Sequence, residues 1–321
     1  MEGLTQATEA SAGPTADHPA CEIKGLHHSY GDHVALDGFD LSIAARQITA
    51  LLGPNGSGKT TLFRLLSTIM PVQQGSVRIA GFDPTRDPLA VRRRLGIVFQ
   101  SPSLDKKLTV DENIACQAKL YGMSGRDLKR RRDEVLQRLG LADRRRERCE
   151  NLSGGLKRRV EIAKSLLHRP SLMLLDEPST GLDPAARRSL WACLEELTEQ
   201  GTTVLLTTHL IEEADKADQV VIFSAGKKVA EGSPQALRGE LGSGVITLVT
   251  ADVDDAERIL RDELKLAVQR TQDSLRVPAD GSMELMTRMA DRLGDDIQSI
   301  SIGRPSLEDV FVARTGVSFE V

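Results

Sequence analysis

The sequence predicts an α/β core with a helical insertion, followed by a small α+β domain. Short apolar runs typical of strands recur through residues 23–223, and the run at 48–52 leads directly into a glycine-rich loop and an amphipathic stretch. Residues 109–169 are instead helical in pattern. Glycines at 239–244 mark a change in composition, after which strands and helices follow in the order of a split β-α-β unit.

The first part of the chain alternates predicted strands with helices. Apolar residues alternate with polar ones through 34–43, as in a half-buried strand. Thr109 and Glu112 have the spacing of a capping box where the helical segment begins, and an amphipathic helix is predicted at 61–69. The predicted strands are 23–28, 34–43, 48–52, 76–80, 95–99, 172–175, 202–207 and 220–223.

The last part of the chain has no apparent catalytic constellation, so we expect a regulatory or assembly role for it, with simple stabilisation as the alternative. Its predicted order is strand, helix, two short strands, helix and strand, at 245–249, 255–264, 267–271, 274–277, 283–293 and 297–302. The predicted divisions are a disordered tail at 1–20, a first domain at 21–239 with its helical subdomain at 109–169, and an accessory domain at 240–321.

The composition predicts a soluble globular protein, with 40% hydrophobic and 27% charged residues. The longest stretch without a charge, 65–77, includes Pro71 and is far shorter than the roughly 20 apolar residues that a membrane-spanning helix needs. A net charge of -4 gives no general attraction to nucleic acid, and we interpret the basic clusters as charged faces of surface helices. The 4 cysteines lack metal-type spacing and fit reduced thiols in the cytosol.

Residues 53–60 have the spacing of a phosphate-binding loop between a strand and a helix. We expect the backbone N–H groups of this loop to surround a β-phosphate, Lys59 to bridge β and γ oxygens, and Thr60 to bind Mg²⁺. The alternative is a glycine turn before an ordinary helix, and the loop alone does not separate a kinase, a GTPase, a helicase or a transporter motor. The predicted contacts in this segment are Gly53, Pro54, Asn55, Gly56, Ser57, Gly58, Lys59, Thr60 and Thr61.

Asp176 and Glu177 end an apolar run bounded by Pro170 and Pro178. Such a run is typical of a strand buried on both faces, where an unpaired carboxylate is costly. Beside a phosphate loop, Asp176 is expected to hold Mg²⁺ and Glu177 to polarise the water that attacks a γ-phosphate. The alternative is that both carboxylates meet solvent at the edge of the sheet.

Two further polar residues, Gln100 and His209, follow predicted strands. Gln100 is a candidate metal ligand and His209 a candidate contact to the γ-phosphate. Taken alone, a glutamine in this position is usually a surface amide and a lone histidine is usually structural.

Ser153, Gly154 and Gly155 open a predicted helix and form a second candidate anion-binding helix N-terminus. Because one nucleotide does not need two phosphate loops from the same subunit, this second terminus implies a partner chain.

With these motifs in this order, residues 21–239 resemble the ATP-binding cassette (ABC) family. The resemblance implies a P-loop NTPase core with an antiparallel β subdomain and a helical subdomain. It also implies that Tyr30 stacks on adenine, that Gln100 belongs to the Q-loop, and that His209 is the switch histidine. The segment 179–183, ending at Asp183, would link the two nucleotide sites. Leu156 stands where many members have Gln, so the phosphate contacts of the signature are expected from Ser153, Gly154 and Gly155.

The ending Pro305-Ser306-Leu307-Glu308-Asp309-Val310-Phe311 resembles that of exporter ATPases of the daunorubicin-resistance type. The resemblance implies an exporter motor that uses ATP and Mg²⁺, forms a head-to-tail homodimer, and works with separate integral membrane permease subunits. Such a motor would lie peripherally at the cytoplasmic face of the membrane. The rival interpretations are a soluble ABC ATPase outside transport and a nucleotide-dependent scaffold that barely hydrolyses ATP; no nucleic-acid partner is expected.

Overall fold

The computed structural model describes residues 19–242, 244–270, 274–279, 283–317 and 319. Nearly all of the predicted tail at 1–20 lies outside the described residues, as do the end of the predicted strand at 267–271 and part of the glycine-rich change at 239–244. In the part of the chain that is described, no helix combines the length and the apolar character needed to cross a membrane.

The strands follow the predicted runs closely, and β3 has the predicted bounds because its 5 residues are all buried. In chain order the strands are β1 Cys21–Tyr30, β2 His33–Ile43, β3 Ile48–Leu52, β4 Gln74–Ile79, β5 Leu95–Val98, β6 Leu172–Asp176, β7 Thr203–Thr208, β8 Gln219–Ser224, β9 Lys227–Gly232, β10 Gly244–Thr250, β11 Gln269–Arg270, β12 Leu275–Ala279 and β13 Ile297–Gly303.

Helices connect these strands and fill the segment that was predicted to be helical. They are α1 Lys59–Leu66, α2 Pro88–Arg92, α3 Val110–Leu120, α4 Gly125–Arg138, α5 Gly154–Leu166, α6 Pro184–Glu199, α7 Ile211–Ala214, α8 Pro234–Gly239, α9 Val253–Arg258, α10 Met283–Leu293 and α11 Leu307–Thr315.

The strands form three sheets. A three-stranded sheet has the order β2-β1-β4, a six-stranded sheet the order β5-β6-β7-β3-β8-β9, and a four-stranded sheet the order β11-β12-β10-β13. In the six-stranded sheet β5 pairs with β6 and β3 with β8, both in parallel, whereas β9 is antiparallel to β8. The non-consecutive strand order with parallel pairs confirms the predicted α/β core.

Contacts between residues divide the chain into two compact units. The first comprises the described residues up to Leu26 together with Asp40–Gln47 and Arg64–Leu205, and the second comprises His27–Phe39, Ile48–Phe63 and the described residues from Leu206 onward.

The centre of the first unit is helix α5. It contacts α3, α4, α6 and β5, and its buried residues include Val160 and Ile162. Helix α3 begins at the predicted capping box, in which the Thr109 side chain accepts a hydrogen bond from Glu112 N and the Glu112 carboxylate accepts one from Thr109 N. The predicted helical character of this segment is thereby confirmed.

The second unit contains the four-stranded sheet, whose described pairs are all antiparallel. Helices α9 and α10 contribute Ala256 and Met289 to a core that also includes Ile246, Leu248 and Val277 of the sheet. Sequence order and sheet order together match a split β-α-β fold, as predicted.

Six of these elements were not predicted, and one predicted element has a different shape; the six are α2, α6, α7, α8, β9 and α11. No element was predicted between 180 and 201, yet α6 runs from Pro184 to Glu199 and is capped by Asp183, which accepts a hydrogen bond from Ala186 N. Strand β9 was missed because its residues are only partly buried and lack an apolar alternation. The predicted helix 255–264 is an α-helix only to Arg258, after which Ile259–Glu263 is a π-helical turn.

Candidate functional site

The phosphate loop closes around the Lys59 ammonium. Strand β3 ends at Leu52, directly before Gly53, and α1 begins at Lys59. The Nζ of Lys59 donates to Gly53 O at 2.6 Å and to Pro54 O at 2.8 Å. The Lys59 side chain therefore binds the backbone at the start of its own loop. A cation therefore lies among the backbone N–H groups that open a helix, which is the arrangement that binds phosphate.

Glycine is required at two positions of this loop for different reasons. A Cβ on Gly53 would lie 2.4 Å from Phe223 O, so the loop could not approach β8. Gly58 has φ +110°, and a Cβ there would lie 2.5 Å from Ala35 O. Because the loop backbone packs directly against other backbone atoms here, a side chain at either glycine would displace the loop.

The loop also has polar groups that are available to bind the oxygens of a phosphate chain. Ser57 Oγ is buried and has no hydrogen-bond partner among the described residues. Asn55, Gly56 and Thr60 are exposed, so their polar groups are accessible. An orphan hydroxyl beside a cation and helix-terminal N–H donors suits phosphate oxygens, and the accessible Thr60 hydroxyl suits a hard cation bound to them.

His209 follows β7 in the same unit, next to the start of the loop. Gly53 N donates to Thr208 O at 3.3 Å. The Thr208 hydroxyl donates to the buried Glu213 carboxylate at 2.7 Å and accepts a hydrogen bond from Leu210 N at 2.9 Å. The residues on both sides of His209 are therefore fixed to the phosphate loop and to α7.

In the first unit, Asp176 is the last residue of β6 and Glu177 directly follows the strand. Asp176 is 8% exposed, and all of β6 is buried. Glu177 has φ +43°, a left-handed conformation that is uncommon for any residue except glycine. Strained backbone of this kind is concentrated at functional sites.

The structure brings Gln100 and Glu177 together. Parallel pairing sets Val98 beside Leu175, so the segments that follow β5 and β6 leave the sheet side by side. Gln100 Nε2 donates to Glu177 Oε2 at 3.1 Å, and Thr180 Oγ1 donates to the same oxygen at 3.1 Å. The Glu177 carboxylate is thus oriented by two neutral donors.

The predicted signature residues form the exposed start of α5. Ser153 caps this helix by accepting a hydrogen bond from Leu156 N at 3.3 Å. A Cβ on Gly155 would lie 2.8 Å from Ala186 Cβ, so glycine lets α5 approach the start of α6, where Asp183 is the cap. Asp183, predicted as a site residue, therefore also has a structural role.

Tyr30 lies at the end of β1 with 45% of its surface exposed. Its ring meets His28 edge to face, with ring centroids 4.9 Å apart. An exposed aromatic ring with such a contact to a neighbour can stack on a planar base.

One residue at this site was not predicted. Arg158 of α5 donates to Phe99 O at 2.7 Å and to Pro178 O at 2.8 Å, the carbonyls next to Gln100 and Glu177 in sequence. Its only signal in the sequence is its place in a run of three basic residues, which is more typical of a solvated face.

Comparison with known proteins agrees with this arrangement. The family model described as ABC transporter matches residues 36–180. The chain is 38% identical to the daunorubicin/doxorubicin resistance ATP-binding protein DrrA of Streptomyces peucetius over 92% of this chain and 92% of that protein. It is 36% identical to the Nod factor export ATP-binding protein I of Paraburkholderia xenovorans, over 92% of this chain and 97% of that protein.

Solved structures share the fold. The ATP-binding subunit of an ABC transporter superposes with a TM-score of 0.62 at 29% identity, covering 69% of this chain and 92% of that one. CbiO1 of Clostridium perfringens superposes with a TM-score of 0.65 at 26% identity, covering 78% and 97% of the two chains. Identity above one third across nearly the whole length, together with the geometry of the loop, shows that the chain belongs to the ATP-binding cassette family and is the ATP-binding, ATP-hydrolysing subunit of a transporter.

Proposed function

We propose that this chain is the ATPase motor of an exporter, working as a head-to-tail homodimer with separate integral membrane permease subunits. The observation that carries the proposal is the similarity over 92% of the chain to ATP-binding proteins of drug resistance and of Nod factor export. That similarity extends beyond the residues 36–180 that match the family model. The proposed location is peripheral, at the cytoplasmic face of the membrane.

For catalysis, we assign Lys59 and the backbone of residues 53–61 to the phosphates of ATP and Tyr30 to the adenine. Thr60, Gln100 and Asp176 would hold Mg²⁺, which neutralises charge on the phosphate oxygens. Gln100 Nε2 donates to Glu177 Oε2 at 3.1 Å, so a residue assigned to the metal is in contact with the residue assigned to the water.

Hydrolysis is assigned to Glu177 and His209. The half-buried Glu177 carboxylate accepts hydrogen bonds from the neutral Gln100 amide and Thr180 hydroxyl, and it is suited to orient and polarise a water. His209, fixed next to the phosphate loop through Thr208, would contact the γ-phosphate and stabilise charge on it.

The exposed start of α5 supports the proposed homodimer. Ser153 and Gly154 are exposed, and the N–H groups at this helix terminus favour an anion. We assign Ser153, Gly154, Gly155 and Asp183 to the ATP held by the phosphate loop of the second copy. ATP would then join the two copies, and loss of the γ-phosphate would let them separate.

Purification from native membranes tests the exporter assignment. In the proposed exporter the motor is bound to a separate integral membrane protein. We expect an integral membrane protein to copurify with the tagged full chain in mild detergent and to remain bound through a second affinity step. Recovery of the chain from the soluble fraction, without any integral membrane protein, would contradict the proposal and favour an ABC ATPase outside transport.

A further inference from the structure

We propose that the buried pair Arg158 and Glu161 positions Gln100 and Glu177 for hydrolysis and links them to the Ser153 end of α5. Both residues would be positioning residues, since neither is assigned a contact with ATP. The inference rests on the proposed role of Glu177 as the residue that polarises water, and it adds a route by which the signature helix controls that residue.

Arg158 and Glu161 form a buried ion pair within helix α5. Arg158 Nη1 donates to Glu161 Oε2 at 3.0 Å, and the two side chains are only 7% and 4% exposed. Burial lowers the pKa of the Arg158 guanidinium, and the Glu161 carboxylate opposes that shift. Because desolvation can cancel the attraction of a buried ion pair, stability alone is a weak reason for such a pair.

Arg158 joins the two backbone segments that carry the site residues. Its Nε donates to Pro178 O at 2.8 Å, directly after Glu177. Its Nη1 donates to Phe99 O at 2.7 Å and its Nη2 to Gln100 O at 3.4 Å. The planar guanidinium has several donors in a fixed fork, so one side chain sets the spacing of both segments.

Glu161 extends this contact along the loop that contains Gln100. Its Oε1 accepts a hydrogen bond from Ser103 N at 2.6 Å. One turn further, Ser165 Oγ donates to Ile97 O at 2.7 Å. Positions 158, 161 and 165 share one face of a helix, so this face of α5 binds the backbone both before and after Gln100.

The contacts connect the start of α5 to the Glu177 carboxylate. Ser153 lies one and a half turns before Arg158 on the same helix, where we assign it to the ATP of the second copy. A displacement of α5 on closure of the dimer would move Phe99, Gln100 and Pro178 together. Since Glu177 already has a strained φ of +43°, the bond to the adjacent Pro178 carbonyl is well placed to fix its direction.

The test is Arg158→Lys in the full chain, measured as steady-state ATP hydrolysis with Mg²⁺. A lysine retains the charge but cannot form the fork, so the two segments lose their fixed spacing. We expect kcat to fall about 10- to 100-fold, the loss that misplacement by about 1 Å can cause. KM and the dissociation constant for ATP should stay unchanged, because the hydrogen bonds described for Arg158 go to Phe99, Gln100, Pro178 and Glu161 and not to the residues assigned to the phosphates. Glu161→Gln, which keeps an acceptor for Ser103 N, should lower kcat in the same direction by a smaller factor.

Arg131 gives a matched control on α4. It is buried, pairs with Glu134 at spacing i,i+3, and donates to the backbone carbonyls of Leu166 and Leu167. Arg131→Lys should lower the melting temperature about as much as Arg158→Lys while leaving kcat near the wild-type value.

Equal kcat values for Arg158→Lys and wild type would overturn the inference. So would a loss of kcat in Arg131→Lys as large as that in Arg158→Lys, because a purely structural effect would then explain both. If the wild-type chain itself showed no Mg²⁺-dependent hydrolysis above the Lys59→Ala variant, the proposed function would fail instead.

Discussion

Glu177 is held in an unusual backbone conformation by its neighbours. A φ of +43° costs a residue other than glycine on the order of 1–3 kcal/mol, so the surrounding contacts must compensate. Gln100 and Thr180 bind its carboxylate, and Arg158 binds the carbonyl of Pro178. Together they give the carboxylate a fixed direction, which a residue that orients water requires.

Residues with a fixed spacing could be predicted from the sequence, but Arg158 could not. Gly53, Gly58 and Lys59 belong to one short loop, so their geometry follows from local spacing. The partners of Arg158 lie 59 and 20 residues away in the sequence. Its role depends on how α5 packs against β5, and no local pattern specifies that packing.

His168 gives a pH-dependent prediction. Its ring stacks on Tyr121 with centroids 3.9 Å apart, and Nε2 donates to Leu95 O at 2.8 Å. Burial lowers the pKa of His168; the hydrogen bond to Leu95 O opposes that shift, and the nearby Arg131 guanidinium adds to it. Protonation would also place an N–H on Nδ1, which is buried without a partner among the described residues.

The neutral ring is therefore the form that the fold prefers. Its contribution to stability is present above the unfolded pKa of about 6.5 and is lost as the pH falls through the lower, folded pKa. We expect urea unfolding to show a larger loss of stability between about pH 7.5 and about pH 5.5 in wild type than in His168→Gln. The exposed His33, changed to Gln, serves as the control; equal pH dependence in wild type and His168→Gln would contradict this account.

At the level of elements, burial decided which strands could be predicted. Strand β3 and helix α10 have the predicted bounds, because a continuous apolar run marks β3 and an amphipathic period marks α10. Strand β9 has only partly buried residues, and its place depends on antiparallel pairing with β8. Helix α6 was not predicted, although its start has a sequence signal: Asp183 is a capping residue, and Pro184 occupies the first helical position.

Helix α11 contacts both the four-stranded sheet and the elements α8 and β9 that precede it. Its start is a capping box in which Asp309 Oδ2 accepts hydrogen bonds from the backbone and the hydroxyl of Ser306, both at 2.7 Å. Asp309 Oδ1 accepts a hydrogen bond from Arg276 of β12 at 2.6 Å. The helix also contacts α8 and β9. The ending that resembles exporter ATPases thus has a structural role in this chain.

Asp309→Ala should therefore destabilise the accessory sheet and α11. The change removes a cap and leaves Arg276 without its closest carboxylate, for an expected loss of about 3 kcal/mol. Asp252→Ala is the matched control, since Asp252 caps α9 in the same domain but is exposed; we expect it to lose about 1 kcal/mol. Hydrogen exchange in α11 and β12 measures both, and equal effects of the two variants would contradict a special role for Asp309.

At the scale of the whole molecule, each compact unit by itself holds one set of the residues that we assign to ATP hydrolysis. The second unit holds the phosphate loop and His209, joined through Gly53 and Thr208. The first unit holds Gln100, Glu177 and the start of α5. The exposed terminus at Ser153 has no assigned ligand within its own copy, and this is why we propose that a complete site needs two copies of the chain.

The most direct test of that central claim is the oligomeric state of Glu177→Gln in ATP and Mg²⁺, measured by light scattering on size-exclusion chromatography. Glutamine keeps the size of the side chain but cannot act as a base, so ATP should remain bound and hold two copies together. We predict a dimer with ATP and Mg²⁺, a monomer without nucleotide, and a monomer under both conditions when Lys59→Ala is added. A Glu177→Gln chain that binds ATP yet stays monomeric would contradict the account.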